Sequence, residues 1–285
     1  EKGEGVDILI MTATPIPRTL SMTAYGDLDV SILNSKLPGR KPVVTRAVSK
    51  ERLSDVVAGI ERVLSQGKKA YWVCPLIELS EKLDLGSAEE RYKHLEKIFG
   101  NRVAMVHGRM KDEDKDAVME SFRSGTVDLL IATSVIEVGV DVPDATIMVI
   151  EHAERFGLAQ LHQLRGRVGR GLEDSTCLLL YNAPLTKNAR ARINVLRESE
   201  DGFVIAEEDL KLRGSGEVLG VKQSGLPQFK IADLTFHSDL LELARNDAQV
   251  ILNKDPNLTS KRGLALKTLL YLFERDSAVQ YLKSG

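Results

Sequence analysis

Two arginines in the middle of the 285-residue chain are spaced for work on a phosphate group. Arg167 and Arg170 belong to the run 163–170, QLRGRVGR, with Gly166 and Gly169 beside them. Residues three apart share a face where a segment is helical, and glycines let another surface approach. A guanidinium stays charged and presents its donors as a fork, which suits a transferring phosphoryl group. A solvated basic turn is the alternative interpretation of such a pair.

A second run, 131–143 (IATSVIEVGVDVP), places a hydroxyl directly after an apolar segment. Exposed backbone N–H groups at the start of a helix, together with the Thr133 hydroxyl, would form a phosphate site. Gly139 allows a close approach, and Asp141 offers an acceptor for a ribose hydroxyl. Without further context, Gly-x-Asp more often marks a turn.

Two further segments carry polar side chains beside apolar runs. Thr12 and Thr14 flank an alanine in the string TATP, and their hydroxyls can form hydrogen bonds in more than one arrangement. His107 and Arg109 follow the apolar run 103–106, at the carboxyl end of a predicted strand. A structural hydrogen bond is the alternative role for His107.

The apolar pattern around these segments predicts an α/β fold. Short apolar runs without alternation indicate strands buried on both faces, and helical periodicities separate them. The predicted strands are Val43–Val48, Lys69–Cys74, Val103–Val106, Leu129–Ala132, Thr146–Ile150 and Cys177–Tyr181. A parallel sheet with helices on both faces follows, with ligand sites at the carboxyl ends of its strands.

From Pro184 onward the pattern changes to charged, helical segments. Gly214, Gly216 and Gly220 are expected to break the chain before two further amphipathic helices. Three segments are predicted, with the bounds 1–37, 38–183 and 184–285, and the last of them is a mostly helical C-terminal region. Because the chain opens on an apolar run at 6–11 that looks like a buried strand, we expect it to be a piece of a longer protein.

Composition narrows the class of protein. Hydrophobic residues make up 43% and charged residues 28%, and no apolar run approaches the roughly 18 residues of a membrane span. The net charge of −2 does not indicate a polyanionic partner for the whole surface, although a local basic stripe can still bind one. Cys74 and Cys177 lie in apolar runs and are expected to be buried, reduced thiols, which favours the cytoplasm.

Several strings resemble known helicase motifs. The runs 163–170, 131–143 and 11–18 resemble motifs VI, V and III of superfamily 2 helicases. Longer strings are similar to the RecG family in particular: AYGDLD at 24–29, LPGR at 37–40, YWVCPLIE at 71–78 and ERFGLAQLHQLRGRVGRG at 154–171. The stretch 201–225 resembles the translocation motif, a helical hairpin and loop, that this family shares with the transcription-repair coupling factor Mfd.

The resemblance implies that the parallel sheet is RecA-like, that 1–37 is the end of a first helicase lobe and that 38–183 is the second lobe. It implies that the turn at 107–109 lies along a nucleic-acid backbone. It also implies site residues and cofactors. Arg167 and Arg170 would be catalytic, while Gln163, Gly139 and Asp141 would bind ATP. DNA binding and coupling would involve Thr12, Thr14, His107, Arg109, Thr133, Arg192, Arg213 and Gln223. ATP would act with Mg²⁺, whose ligands are expected in a missing first lobe, because neither a G-x-x-x-x-G-K-[ST] loop nor a DExH tetrapeptide occurs in this sequence.

The function implied is that of the motor portion of an ATP-dependent DNA helicase. Such a protein would regress stalled replication forks and migrate branched junctions in recombination and repair. Its partners would be replication forks, four-way junctions, and the first helicase lobe and wedge domain of the same polypeptide. Alone, this chain is predicted to be inactive. The alternatives are a non-catalytic DNA-binding module and the equivalent part of Mfd.

Overall fold

The computed structural model describes residues 9, 11, 31–33, 39–75, 81–133, 142–220 and 238–273. They belong to two compact units: the described residues from Ile32 to Leu212 lie in the larger one, with residues 9 and 11, and those from Arg213 onward lie in the smaller one, with Ser31. The predicted segment boundaries at 37/38 and 183/184 stay predictions. Most of the predicted strand at 6–11 lies outside the described residues.

A six-stranded sheet forms the core of the larger unit. Its strands are β1 (Val43–Ser49), β2 (Lys69–Cys74), β3 (Val103–Val106), β4 (Leu129–Thr133), β5 (Ala145–Ile150) and β6 (Ser175–Tyr181). Their order across the sheet is β1-β6-β5-β2-β4-β3, and every neighbouring pair is parallel. The predicted fold class is confirmed.

Helices connect and follow these strands. In the described part of the chain they are α1 (Leu53–Leu64), α2 (Glu81–Phe99), α3 (Asp112–Ser124), α4 (Leu158–Arg165), α5 (Lys187–Glu198), α6 (Gly202–Gly220), α7 (Ser238–Lys254) and α8 (Lys261–Leu272). The regular alternation of strand and helix from β1 to β4 is what makes a parallel sheet possible, because each crossover needs a helix-length connection.

The side chains of β2 divide the core between the two faces of the sheet. Tyr71 and Val73 belong to a hydrophobic cluster that includes residues of α3, α4 and α5. Trp72 belongs to a second cluster, with residues of α1 and α2. Successive side chains of a strand point to opposite faces, so the two clusters lie on opposite sides of the sheet. All six β2 residues are buried, as a covered central strand requires.

Helix α1 shows how the sequence pattern sets the packing. Its residues Val56, Val57, Ile60 and Leu64 recur at helical spacing and are all buried. Each such side chain contributes about 1.5–3 kcal/mol when fully buried. The helix ends before Gly67, which adopts a left-handed conformation with φ of 75° and turns the chain into β2.

Helix α6 overturns one expectation. Gly214 and Gly216 do not break the chain, because the helix continues through both and ends at Gly220. Glycine costs about 1 kcal/mol relative to alanine inside a helix but keeps its N–H donor. Only proline removes that donor, and α6 contains none.

Helices α7 and α8 belong to the smaller unit, and a capped turn joins them. The Asp255 carboxylate accepts hydrogen bonds from the backbone N–H groups of Thr259 (2.8 Å) and Ser260 (2.9 Å). Bonds from Ser260 and Thr259 lower the pKa of Asp255 to about 2. The Ser260 hydroxyl in turn accepts from the Gly263 N–H at 3.0 Å and caps α8. Within the described ranges, no helix has the length and apolar character needed to span a membrane.

Candidate functional site

The carboxyl ends of the six strands meet at one edge of the sheet, because all of them run in the same direction. Thr133 is the last residue of β4, and His107 directly follows β3. Glu151 directly follows β5 at the centre of the edge. Two of the residues predicted for the site, Thr133 and His107, therefore lie on neighbouring strands.

Glu151 is the centre of a buried charged network that the sequence did not predict. Its carboxylate accepts from Arg91 Nε at 2.9 Å and from Arg91 Nη2 at 2.7 Å. It also accepts from Trp72 Nε1 at 3.0 Å, and Lys50 Nζ lies 3.5 Å away. The side chain of Glu151 is only 7% exposed and that of Arg91 12% exposed, so this ion pair is largely withdrawn from water.

Competing effects set the ionisation of Glu151. Burial alone would raise the pKa of the carboxyl, but the hydrogen bond and charge of Arg91, helped by Trp72 and Lys50, lower it to about 2. Burial also raises the pKa of the neighbouring Cys74 thiol, so it stays protonated. A pocket of about 290 Å³ opens beside the network, lined by Lys50, Cys74, Pro75, Glu90, Arg91, His94, Glu151 and His152.

His152 extends the network in a strained backbone conformation. Its φ of 54° lies in the left-handed region, which non-glycine residues rarely adopt. Lys50 Nζ lies 3.1 Å from His152 Nε2, and Glu154 Oε1 lies 3.1 Å from Nδ1. Since an ammonium group only donates, Nε2 accepts and Nδ1 carries the proton. A hydrogen-bonded chain therefore connects Lys50, His152 and Glu154.

The two candidate catalytic arginines stand on a turn that follows α4. The helix ends at Arg165, so Arg167 and Arg170 are not one turn apart on a helix as the spacing argument assumed. Backbone bonds from Arg167 N to Leu164 O (3.0 Å) and from Val168 N to Arg165 O (3.2 Å) shape the turn. Arg170 Nε donates to Gly166 O at 3.3 Å. Both arginine side chains are partly exposed.

Close packing explains the glycines around the turn. Gly169 has φ of 73°, and a Cβ there would lie 2.6 Å from Val43 Cγ2 of β1. A Cβ on Gly171 would lie 2.8 Å from the Pro143 carbonyl oxygen. Val168 between them is buried, which anchors the turn to the core. These contacts hold the turn against the sheet while its arginines stay accessible.

Gln163 lies on α4 and is exposed, on the last turn before the arginines. An exposed amide can both donate and accept hydrogen bonds, as the recognition of a nucleotide base requires. The predicted nucleotide-binding residues Gly139 and Asp141 lie outside the described residues, so their role stays a prediction.

Arg192 ties α5 to the segment that leads into α4. Its Nη1 donates to Phe156 O at 2.8 Å, and its Nη2 donates to Glu154 O at 3.0 Å. The resemblance to the translocation motif also implies that Arg192 holds the hairpin's two helices in register through hydrogen bonds to neighbouring backbone or carboxylates. The observed acceptors are backbone carbonyls, but they precede α4 rather than belong to α6. Arg192 thus connects α5 with the arginine-bearing region.

Arg165 forms a second connection that sequence reasoning missed. It is 4% exposed, and its Nη1 donates to Leu196 O at 2.7 Å and Ser199 O at 2.8 Å. Its Nη2 donates to His162 Nδ1 at 3.0 Å. An arginine inside a run of arginines and glycines gives no signal of burial, because its partners are about thirty residues away.

The predicted DNA-contacting residues that the structure describes differ in exposure. Thr133 is 2% exposed. His107 is half-buried, and its Nδ1 is buried with no hydrogen-bond partner among the described residues. Arg109 is exposed. Thr12, Thr14 and Gln223 lie outside the described residues, and Arg213 lies on α6 where only the backbone is described.

The described residues contain no group of three or more His, Cys, Asp or Glu side chains that would hold a metal ion. The donor set at the α4 turn is instead cationic, with two guanidiniums beside an exposed amide. Such groups fit the phosphates and base of a nucleotide.

Comparison with known proteins adds to this geometry. Residues 51–171 match the family model "Helicase conserved C-terminal domain", and residues 199–271 match "ATP-dependent DNA helicase RecG, domain 3, C-terminal". The chain is 49% identical to the ATP-dependent DNA helicase RecG of Pasteurella multocida over 267 residues, which cover 92% of this chain and 38% of that protein. The chain belongs to the RecG family.

Other RecG proteins match this chain to a similar extent. The Escherichia coli K12 protein is 56% identical over 228 residues, covering 79% of this chain and 33% of the relative. A solved structure of RecG bound to a three-way DNA junction is 46% identical and superposes with a TM-score of 0.66, covering 83% of this chain and 31% of that one. The chain thus spans about a third of the length of these relatives.

Proposed function

We propose that this chain supplies the second motor lobe and C-terminal coupling region of an ATP-dependent DNA helicase that regresses stalled forks and migrates branched junctions. The observation that carries the proposal is the turn after α4, which presents Arg167 and Arg170 beside the exposed Gln163. Membership of the RecG family supports the reaction class. In this proposal, the second motor lobe comprises residues 38–183 and the coupling region comprises residues 184–285.

ATP is the proposed cofactor, and hydrolysis of its γ-phosphate would supply the energy for movement. Arg167 and Arg170 would donate to the phosphate oxygens as negative charge develops there. Gln163 would bind the base, and Gly139 with Asp141 the ribose. The ligands for Mg²⁺ and the phosphate loop would come from a first lobe on the upstream part of a longer polypeptide.

Branched DNA is the proposed partner. Thr133, His107 and Arg109 follow neighbouring strands at the carboxyl edge and would contact the DNA backbone, together with Thr12 and Thr14. The buried Nδ1 of His107 has no hydrogen-bond partner among the described residues, which supports a ligand-facing role, because a buried polar atom without a partner is costly. The wedge domain that separates the strands of a fork would again lie upstream.

The coupling step would pass from the arginine turn to α5 and α6. Arg192 already joins α5 to the backbone before α4, so a movement of the turn would be transmitted to α5. We propose that Arg213 on α6 stabilises the hairpin and that Gln223 lies on a loop that follows the DNA backbone. Lobe closure on hydrolysis would then pull the duplex by a small step.

The central test uses a fusion protein, in which this chain replaces the matching third of the Pasteurella multocida relative. We expect the fusion protein to hydrolyse ATP in response to forked DNA and to regress the fork. The 285-residue chain alone should not hydrolyse ATP above the buffer rate, because it lacks a phosphate loop. A fusion protein that binds forked DNA without hydrolysing ATP would favour a non-catalytic binding module instead.

A second test addresses coupling. In the fusion protein, Arg213→Ala or Gln223→Ala should keep DNA-stimulated ATPase and lose fork regression. A role in folding alone predicts that ATPase, regression and thermal stability fall together. All three should be measured on one preparation, and a parallel loss of all three would count against coupling.

A further inference from the structure

Arg165 is a charged residue held inside the larger unit. Its side chain has lost nearly all contact with water, and only 4% of the residue is exposed. A buried guanidinium is costly unless its N–H groups find acceptors. Here three such bonds form, to Leu196 O, Ser199 O and His162 Nδ1, all between 2.7 and 3.0 Å.

The acceptors lie at a particular place on α5. Leu196 is in the last turn of the helix, and Ser199 is the residue that caps its C-terminal end. Carbonyls at a helix C-terminus have no partners within the helix and carry partial negative charge. A cation there satisfies the carbonyls and is itself stabilised. Burial nevertheless lowers the pKa of Arg165, since the charged form has lost its hydration.

Arg165 and Arg192 connect the same two segments in opposite directions. Arg165 extends from the end of α4 to the end of α5, whereas Arg192 extends from the middle of α5 to the backbone at Glu154 and Phe156, before α4. Two guanidinium connections at separated points prevent α5 from rotating about either one alone. The turn with Arg167 and Arg170 begins directly after Arg165.

From this geometry we infer that Arg165 is a positioning residue, which fixes the arginine-bearing turn at 166–170 to the C-terminal end of α5 so that both move as one body. It touches neither nucleotide nor DNA in this role. Instead it determines where Arg167 and Arg170 stand relative to the coupling region. The inference rests on the proposed function for its consequence, although the connection itself is independent of it.

The first test replaces Arg165 in the fusion protein. Arg165→Lys keeps a positive charge but carries its donors on one nitrogen, whereas Arg165 uses Nη1 for the two carbonyls and Nη2 for the imidazole. We expect kcat for ATP to fall about tenfold while KM changes less than about twofold, because a displaced turn weakens transition-state contacts. Forks regressed per ATP hydrolysed should fall as well. Arg62→Met is the control, since Arg62 is exposed and bonds within α1, to Ala58 O.

Two outcomes separate this inference from the proposed function. If the unmutated fusion protein has no DNA-stimulated ATPase, the proposed function fails. If that protein is active and Arg165→Lys keeps kcat and forks regressed per ATP when fully folded, the positioning role is wrong. The folded fraction is read from the thermal unfolding of each fusion protein, followed by circular dichroism, with the unmutated fusion protein as the reference.

A second measurement needs no variant and tests the same inference if Arg165→Lys does not fold. The unmutated fusion protein is incubated with ADP–aluminium fluoride, and amide hydrogen exchange is followed in residues 166–170 and 195–199. One rigid body predicts that both segments gain protection together. Protection of 166–170 with unchanged exchange at 195–199 would overturn the inference.

Discussion

The carboxylate of Glu151 and the guanidinium of Arg91 form an ion pair with two hydrogen bonds at the carboxyl edge of the sheet, at 2.7 and 2.9 Å. Arg91 also lies over the ring of Trp72, with its Cζ 5.4 Å from the ring centroid. The pair therefore fastens α2 to the end of β5 in surroundings where neither charge is well hydrated.

Arg91→Met should destabilise the chain by about 3–5 kcal/mol, because it leaves a buried carboxylate without its main partner. Urea unfolding followed by Trp72 emission and by circular dichroism measures the change. Arg52→Met is the matched control: Arg52 also pairs with a carboxylate at 2.9 Å, that of Asp55, but both side chains are well exposed. The control should lose less than about 1 kcal/mol, and equal losses in the two variants would contradict the prediction.

Acid should remove the stabilisation that the Glu151–Arg91 ion pair provides. The folded-state pKa of Glu151, about 2, lies below the ordinary value of 4.5, so the charged form is favoured by folding. A depressed pKa contributes stability that is present above the unfolded value and is lost as pH falls through the folded value. The contribution is on the order of 3 kcal/mol.

Glu151→Gln isolates that contribution, since it keeps the shape and removes the titration. Between pH 5 and about 2, the free energy of unfolding should fall less steeply for this variant than for the unmutated chain. Unfolding curves at several pH values give both slopes. Parallel slopes would mean that Glu151 does not carry the acid sensitivity assigned to it.

Gly169→Ala should destabilise the larger unit for two reasons. The left-handed backbone costs roughly 1–2 kcal/mol for a residue with a Cβ. The Cβ would also meet Val43 Cγ2 at 2.6 Å, and overpacking adds about 1–3 kcal/mol. Thermal unfolding measures the total.

Two matched variants separate these contributions. Gly67 also has a positive φ, of 75°, but a Cβ added there would have no atom within 4 Å, so Gly67→Ala should show the backbone strain alone. Gly166→Ala has an ordinary φ of −66° and should be nearly neutral. A Gly169→Ala variant as stable as Gly67→Ala would show that Val43 moves aside without cost.

Local patterns were enough to predict the sheet. Apolar runs such as Lys69–Cys74 and Val103–Val106 have the predicted bounds, because a covered parallel strand leaves a continuous apolar signal in the sequence. The α1 helix followed from its spacing in the same way. These features depend on neighbours in sequence, and so one sequence suffices to find them.

Long-range polar contacts were not predictable in this way. Arg91 and Glu151 are sixty residues apart, and nothing in the spacing of either indicates the other. The three-residue spacing of Arg167 and Arg170 places them on one face only where the segment is helical, and the spacing does not show that α4 ends at Arg165. The sequence shows Gly169 but not that Val43 lies against it, and that packing is what requires a left-handed residue there.

The last prediction concerns the arginines of that turn. In the fusion protein, Arg167→Ala or Arg170→Ala should lower kcat for ATP on the order of 10³-fold, as for loss of an arginine that stabilises the transferring phosphoryl group. Arg170 donates a hydrogen bond to Gly166 O, so replacing Arg170 also loosens the turn. The Arg167 guanidinium, in contrast, has no hydrogen-bond partner within the described ranges. Arg167→Ala should therefore leave thermal stability unchanged.

Arg167→Lys sharpens the test, since it keeps the charge and loses the planar fork. A phosphate-directed role predicts that lysine recovers only part of kcat. Binding of forked DNA should stay within about twofold in every variant, because the energy of transition-state contacts does not contribute to DNA affinity. Near-normal ATPase in both alanine variants would show that the turn does not belong to the catalytic site. A loss of DNA binding as large as the loss of kcat would show that the turn contacts DNA instead.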